Sequence, residues 1–365
     1  MSTHKVSIID VAKEAGVSYQ TVSRVINNSP SVRESTRRKV QEAIQALNYH
    51  PSLSAQSLKT QRTRMVGVIA SQTQYSGPLL TISAIERMAR SRNLFVSVAT
   101  VDEARLNPED FANIEESFVK LGVEAVVIVA PTEAMVTLAV ESHVNIPRVI
   151  ITAAEGMQEL SSRQFDAQRV KFVTTNQDEA SRHIVHTLSE RGVDRVIYLR
   201  GPQQWRDAYT RCEACKRACI DAGLDIQILD MNDWLSANSY EKISALLTSQ
   251  GVQSMKNTAV WGANDLLAMG ARRALIEAGL VIPDDVCVVG YDDMPGMESL
   301  VPPLTTVNPN YEHVGSLAMR LVLDLLGYGA ADEDADSASL DTMLVEGSEN
   351  LYFIEPTVVL RESTR

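Results

Sequence analysis

Tyr19, Gln20, Ser23, Arg24 and Asn27 lie within nine residues and carry the donors and acceptors that read the edges of nucleic-acid bases. Glutamine bonds bidentately to adenine N6 and N7, arginine to guanine O6 and N7, and a short hydroxyl such as Thr21 or Ser23 holds a phosphate. Taken singly, each would suit a polar surface helix just as well. Together at this spacing they need an exposed helix held from behind, and the neighbouring residues supply one. Ser18 is a favourable N-cap, and Val22, Val25 and Ile26 share one face. Upstream, Ser7 can cap a first helix, Asp10 suits its positive end, and Ile9, Val11, Ala12 and Ala15 are expected to form its buried stripe before Gly16 ends it. A third helix is predicted from about 34 to 47, with Val40, Ala43, Ile44 and Leu47 inward. Arg33 is a poor N-cap there, and Ser31 or Ser35 is expected to serve instead.

The charge distribution agrees with a polyanion-binding head. Residues 1–64 hold ten basic and four acidic side chains, a net +6, whereas the rest of the chain is at −18 and the whole at −12. A basic head on an acidic body suits a DNA-binding module joined to one that does not bind polyanions.

At 365 residues and 45% hydrophobic content the chain exceeds one compact core and is expected to be multi-domain. No apolar signal region follows Met1, and the longest apolar runs, such as 125–130, are too short to span a bilayer, so a cytoplasmic protein is expected. Of the four cysteines, Cys212, Cys215 and Cys219 fall on one predicted helix, which favours packing over a disulfide framework or zinc site. No cofactor is expected. Catalysis has no visible constellation either, with no glycine-rich phosphate loop, no H-E-x-x-H, no G-x-S-x-G and six scattered histidines.

After the head, Pro51 prevents the third helix from continuing, and residues 51–64 have modest helix propensity in a segment too short to be stable alone. Leu58 beside Lys59 suits a hinge that becomes helical on DNA, with the leucine as an apolar wedge; a flexible polar linker is the alternative. From residue 65, short β-branched runs alternate with amphipathic helices, the signature of doubly wound parallel sheets. The strands are too many for one ordinary sheet, so two subdomains are expected, divided near 162–170. Ligands in such folds sit at the carboxyl ends of the strands. Residues 330–350 read as an acidic surface loop before a last strand.

DVAKEAGVSYQTVSRVIN, the spacing of Pro51, Ala55 and Leu58, GANDLLAMGA, VVGYDD and PPLTT together resemble the lactose/galactose repressor family of bacterial transcription regulators, over nearly the whole length. The resemblance implies a helix-turn-helix DNA-binding domain at 1–50, a hinge at 51–64 and a periplasmic-binding-protein-like α/β core at 65–365. That core would have one subdomain at about 65–164 and 309–336, and a second at about 165–308 and 339–365. It implies a homodimer on a pseudo-palindromic double-stranded DNA operator, bound to the nucleoid when on DNA. DNA-contacting positions carried over are Ser18, Tyr19, Gln20, Thr21, Ser23, Arg24, Asn27, Ser31, Tyr49, Ala55, Leu58 and Lys59. Tyr19, Gln20 and Arg24 match the base-reading trio of the lactose-type members. No leucine-heptad tail follows the last strand, so a dimer and not a tetramer is expected.

For a small-molecule effector the resemblance points to Arg211 and Asp292, joined by Tyr75, Trp234, Asn264 and Tyr311. Their chemistry suits a mono- or oligosaccharide: a guanidinium and a carboxylate each bond adjacent hydroxyls, and an aromatic face stacks on a sugar ring. Asn264 is also placed to cap the helix that begins near Asp265, Asp292 to cap a loop, and Trp205 and Trp261 to fill core. Thr152 and Pro309 replace an Asp and a Gln of the lactose-type members, so the effector need not be the same galactoside. A repressor released from its operator by sugar is the leading reading. A corepressor type, in which a purine or a phosphoprotein partner strengthens operator binding, is the alternative. A periplasmic sugar-binding protein would account for residues 65–365 but not for the basic head.

Overall fold

The computed structural model describes residues 6–27, 29–50, 62–71, 75–103, 105–153, 169–328, 342–344 and 348–365. It divides into two compact units, Met1–Thr63 and Arg64–Arg365.

The first unit contains α1 (Ile8–Glu14), α2 (Tyr19–Ile26) and α3 (Glu34–Ala46). Ser7 caps α1 in a capping box with Asp10, and Gly16, at φ +66°, turns the chain toward α2 as its sequence suggests. Val11, Val22, Val25 and Val40 form the buried centre. One residue of the expected stripe is out of phase: Ile9 is 56% exposed, and Ile8 packs on the core in its place. A helix repeats its inner face at i, i+3, i+4 and i+7, which from Ile8 gives Val11, Ala12 and Ala15. Neither expected serine caps α3. Arg33 holds the N-cap position with no side-chain bond, and the Ser31 hydroxyl pairs with Ser29 at 2.8 Å.

The second unit is α/β. Its larger sheet has the order β11-β12-β5-β4-β3-β1-β2, built from β1 (Met65–Ser71), β2 (Phe95–Val101), β3 (Ala125–Val129), β4 (Arg148–Ile151), β5 (Val170–Thr175), β11 (Thr342–Leu344) and β12 (Leu351–Ile354). All neighbours run parallel except β11 with β12. One face is covered by α4 (Ser76–Ser91) and α11 (Tyr311–Leu325), the other by α5 (Pro108–Leu121) and α6 (Glu133–Glu141). With both faces buried, β1, β3 and β4 read as near-continuous apolar runs.

The smaller sheet runs β7-β6-β8-β9, all parallel: β6 (Arg195–Arg200), β7 (Asp225–Asp230), β8 (Thr258–Gly262) and β9 (Val286–Val289). α7 (Asp178–Glu190), α8 (Arg206–Ala222), α9 (Ser236–Gln250) and α10 (Asp265–Glu277) pack around it in one apolar cluster. Cys212, Cys215 and Cys219 are buried on α8 within that cluster. A short antiparallel pair, β10 (Thr306–Asn308) with β13 (Thr357–Val359), completes the lobe.

The boundary between lobes differs from the one expected at 164–165. β5 pairs in parallel with β4, so the first crossing falls after Thr175. The expected last strand, 354–362, contains β13, which serves the smaller lobe, and is preceded by a strand that was not expected, β12, which adds to β5 in the larger sheet. The chain therefore crosses three times, after β5, β10 and β12, and side chains of the crossings bond to one another: Asn176 Nδ2 donates to Glu355 Oε1 at 2.8 Å and Asn310 Nδ2 to the Glu355 carbonyl at 2.8 Å. Among the described residues no helix is long and apolar enough to cross a membrane.

Candidate functional site

In the head, α2 presents the predicted polar set. Ser18 Oγ accepts the Thr21 amide at 3.2 Å and lies 3.0 Å from the Thr21 hydroxyl, which fixes the first turn. Tyr19, Gln20, Arg24 and Asn27 are exposed, while Val22 and Val25 are buried. Asn27 Nδ2 donates to the Ser23 carbonyl at 2.6 Å and so closes the helix end. Ser31 is exposed, and Tyr49 packs half-buried against the head's core, so its ring has a structural task whatever its hydroxyl does. Ala55, Leu58 and Lys59, with the hinge from 51 to 61, lie outside the described residues.

In the core, all six predicted effector side chains line one cleft. Its walls come from the carboxyl ends of strands in both sheets: Thr152 just beyond β4, Thr174 and Thr175 on β5, Asn264 beyond β8 and Asp292 beyond β9. This is where doubly wound sheets place ligands.

Arg211 organises the cleft. α8 carries it into the space between the sheets, where Nη1 donates to the Ala263 carbonyl at 2.7 Å and to Asp292 Oδ1 at 3.2 Å, and Nη2 donates to the Tyr311 hydroxyl at 3.1 Å. Tyr311 in turn donates to Asp292 Oδ1 at 2.7 Å. The guanidinium lies 3.7 Å from the centre of the Tyr291 ring, in cation–π contact. Tyr311 starts α11 in the larger lobe, so this ion pair with its hydroxyl joins the two lobes. Asp292 adopts φ +108°, a region that costs a non-glycine residue about 1 to 3 kcal/mol, and the bonds just described hold it there. Burial pushes the Asp292 carboxyl up, against the opposing pull of Arg211 and Tyr311. For Arg211, burial disfavours the charge, but Tyr311 and Asp292 outweigh it and hold the guanidinium protonated.

Aromatic rings form the adjoining wall. Tyr75 meets Trp205 edge to face at 5.3 Å, and Trp205 meets Trp234 at 5.5 Å. Trp234 packs so closely on Gly201 that a Cβ there would lie 2.4 Å from its ring. Trp205 is thus a wall residue as well as core, which corrects the reading of it as core alone; Trp261 is core, edge-on to Tyr198 at 5.9 Å. Asn264 performs its capping role, its Oδ1 accepting the Leu267 amide at 2.8 Å and its Nδ2 donating to the Trp234 carbonyl at 3.1 Å. It lines the cleft while anchoring that tryptophan. Asp207, one helical turn before Arg211, also lines the cleft. Sequence reading passed over it, although the i, i+4 spacing from Arg211 was visible. Four buried polar atoms on the lining, Arg211 Nε, Trp234 Nε1, Thr152 Oγ1 and Thr174 Oγ1, have no hydrogen-bond partner among the described residues.

Behind Asp292, the buried Asp265 accepts from the Thr306 hydroxyl at 2.6 Å and the Met294 amide at 2.7 Å. Its carboxyl is pushed up to about 7, first by burial and then by the Asp292 charge. In the unfolded chain this proton leaves near pH 4, so between about pH 4 and 7 the folded state binds more protons than the unfolded one. Stability therefore falls as pH rises through that window and levels off above it. Asp265→Asn is expected to flatten the decline of the urea midpoint between about pH 5 and 8 relative to the parent; parallel declines would show that Asp265 does not hold the proton.

The model of bacterial regulatory proteins of the lacI family matches residues 7–52, and that of a periplasmic binding protein-like domain matches 185–364. The lactose operon repressor of Escherichia coli (strain K12) is 28% identical over 321 residues, covering 88% of this chain and 84% of that protein. The transcriptional repressor PurR of Vibrio parahaemolyticus is 28% identical over 322 residues, covering 87% and 91%. The crystal structure of the lac repressor dimer bound to operator and the anti-inducer ONPF superposes with a TM-score of 0.81 at 25% identity, over 99% of each chain. The chain belongs to the lacI family of bacterial regulatory proteins and is a DNA-binding transcriptional regulator, not an enzyme.

Proposed function

We propose that the protein is a cytoplasmic repressor that binds a pseudo-palindromic operator as a homodimer and is released by a small saccharide. The observation that carries the effector half is the cleft itself: a buried Arg211–Asp292–Tyr311 network, an aromatic wall of Tyr75, Trp205 and Trp234, and buried polar atoms on the lining without protein partners. A saccharide offers these groups what they require, hydroxyls for the forked and paired oxygens and a C–H face for the rings. For DNA, the exposed Tyr19, Gln20 and Arg24 on α2 are assigned to base edges, and Ser18, Thr21 and Ser23 to phosphates, with Asn27, Ser31 and Tyr49 beside them. Residues 51–64, with Ala55, Leu58 and Lys59, are assigned to the hinge. Ligand and operator then compete through the relative position of the two lobes, by a coupling free energy that acts equally in both directions.

The test pairs a selected operator with a saccharide panel. Arg24→Ala is expected to weaken operator binding by about 1 to 3 kcal/mol and to relax preference at one base position. A uniform loss across all sequences would reassign Arg24 to the backbone. A saccharide that raises the melting temperature of the protein is expected to weaken operator binding. A second reading has one observation in its favour: relatives named PurR match as much of the chain, at the same identity, as the lactose operon repressor does. In that corepressor reading a purine raises the melting temperature and tightens the operator complex, and no saccharide does either.

A further inference from the structure

We infer that Asp207 makes the cleft select an uncharged saccharide over the same sugar bearing a carboxylate or a phosphate. The inference rests on the saccharide reading above and narrows it. Asp207 sits in the first turn of α8 with its side chain 30% exposed, and its Oδ1 lies 3.8 Å from Arg211 Nη2, too far for a hydrogen bond. Its oxygens are therefore available to two adjacent hydroxyls of a sugar, which a carboxylate accepts well.

The same carboxylate settles the charge balance. Among the described residues, the acidic and basic side chains on the lining besides the neutral tyrosines are Asp207, Asp292 and Arg211, a net charge of −1. Arg211 is the cation an anionic ligand would seek, yet three of its N–H groups are committed, to Ala263, Asp292 and Tyr311, which leaves Nε and one hydrogen of Nη2, the nitrogen 3.8 Å from Asp207. The neighbouring Arg206 is turned to Glu133 and the Ala153 carbonyl. Among the described residues of its lining, the larger lobe offers hydroxyls, Thr81, Thr152, Thr174 and Thr175, and no cation.

Helix N-termini are the remaining source of positive potential, and those of α8, α10 and α11 at the cleft already carry an acid in the first turn, Asp207, Asp265 and Glu312. That of α4 has Pro78 in place of one free N–H and is equivalent to about half a unit charge. One uncompensated like charge at about 7 Å, with an effective dielectric near 35, weakens binding roughly tenfold.

The experiment uses the full-length protein and matched probes: D-glucose with D-glucuronate and glucose 6-phosphate, and D-galactose with D-galacturonate. Affinities come from melting-temperature titrations. The neutral member of at least one set is expected to bind at least about tenfold more tightly than its anionic partners. Asp207→Asn, and Asp207→Ser should the first variant fold poorly, is expected to shrink that ratio by about threefold or more, mainly by improving the anion. An anionic sugar that binds as tightly as its neutral partner, or a ratio that the variants leave unchanged, overturns the role of Asp207 while leaving the saccharide cleft in place. If no member of any set shifts the melting temperature, the saccharide reading falls and this inference falls with it.

Discussion

Arg211→Met is expected to destabilise the core by about 3 to 5 kcal/mol and to abolish the saccharide-induced rise in melting temperature. Arg211 and Asp292 are both almost wholly buried, with side-chain exposures of 7% and 10%. Removing the guanidinium leaves the Asp292 carboxylate with the Tyr311 hydroxyl and a strained backbone, and no opposite charge. It also frees the Ala263 carbonyl beside the start of α10. Truncating one member of a buried pair is costly because the other is stranded, not because the pair itself is strongly stabilising. The double variant Arg211→Met, Asp292→Leu separates the two effects: it is expected to recover most of the stability and none of the ligand response. Arg211→Lys should not substitute, since a lysine cannot reach Ala263, Asp292 and Tyr311 from one planar fork. Urea midpoints and ligand titrations on the three variants provide the measurements. A loss below about 1 kcal/mol in the single variant would mean that Asp292 is not held by Arg211.

Gly270→Ala is expected to cost about 3 kcal/mol or more, against a helix propensity that by itself favours alanine by about 1 kcal/mol. Gly270 lies in the interior of α10, where a Cβ would come within 1.9 Å of the Ser236 carbonyl oxygen and 2.2 Å of Ser239 Oγ on α9. The first of these is backbone at the start of a helix and cannot rotate away, so α9 and α10 must separate. Asn264 at the head of α10 holds the Trp234 carbonyl, so that separation also disturbs the aromatic wall of the cleft. The expected readout is a lowered melting temperature together with a weakened saccharide response. A variant as stable as the parent would show that the two helices do not approach this closely.

How far the sequence alone could go is clearest where periodicity and long-range pairing meet. In the head, capping residues and valine spacing placed α1, α2 and α3 within a residue or two, because a helix is specified by neighbours three and four positions apart. Ile9 falls on the outer face because two adjacent isoleucines satisfy the same pattern, and only packing within the three-helix core chooses between phases. In the core, the alternation of strands and helices announced doubly wound sheets. It did not announce that β5 belongs to the first sheet, because a parallel strand's partner is set by a crossover and not by local composition. Trp205 was likewise readable as a residue type, without any local signal that it faces the cleft, whereas Asp207 was legible through its i, i+4 spacing from Arg211.

The amino-acid sequence by itself determined that α2 presents Tyr19, Gln20 and Arg24, since that face is fixed by the turn of one helix. Arg211 and Asp292 were pointed to by the resemblance that its motifs carry. Only the tertiary structure decided that these two, 81 positions apart, bond directly through burial, that Tyr311 from the other lobe joins them, and that Asp207 leaves the wall net negative. The reason is one of range. Helical faces and caps are settled by interactions within a few residues, whereas the charge balance of a cleft is a sum over strand ends from two sheets that meet only when the chain has crossed between them three times.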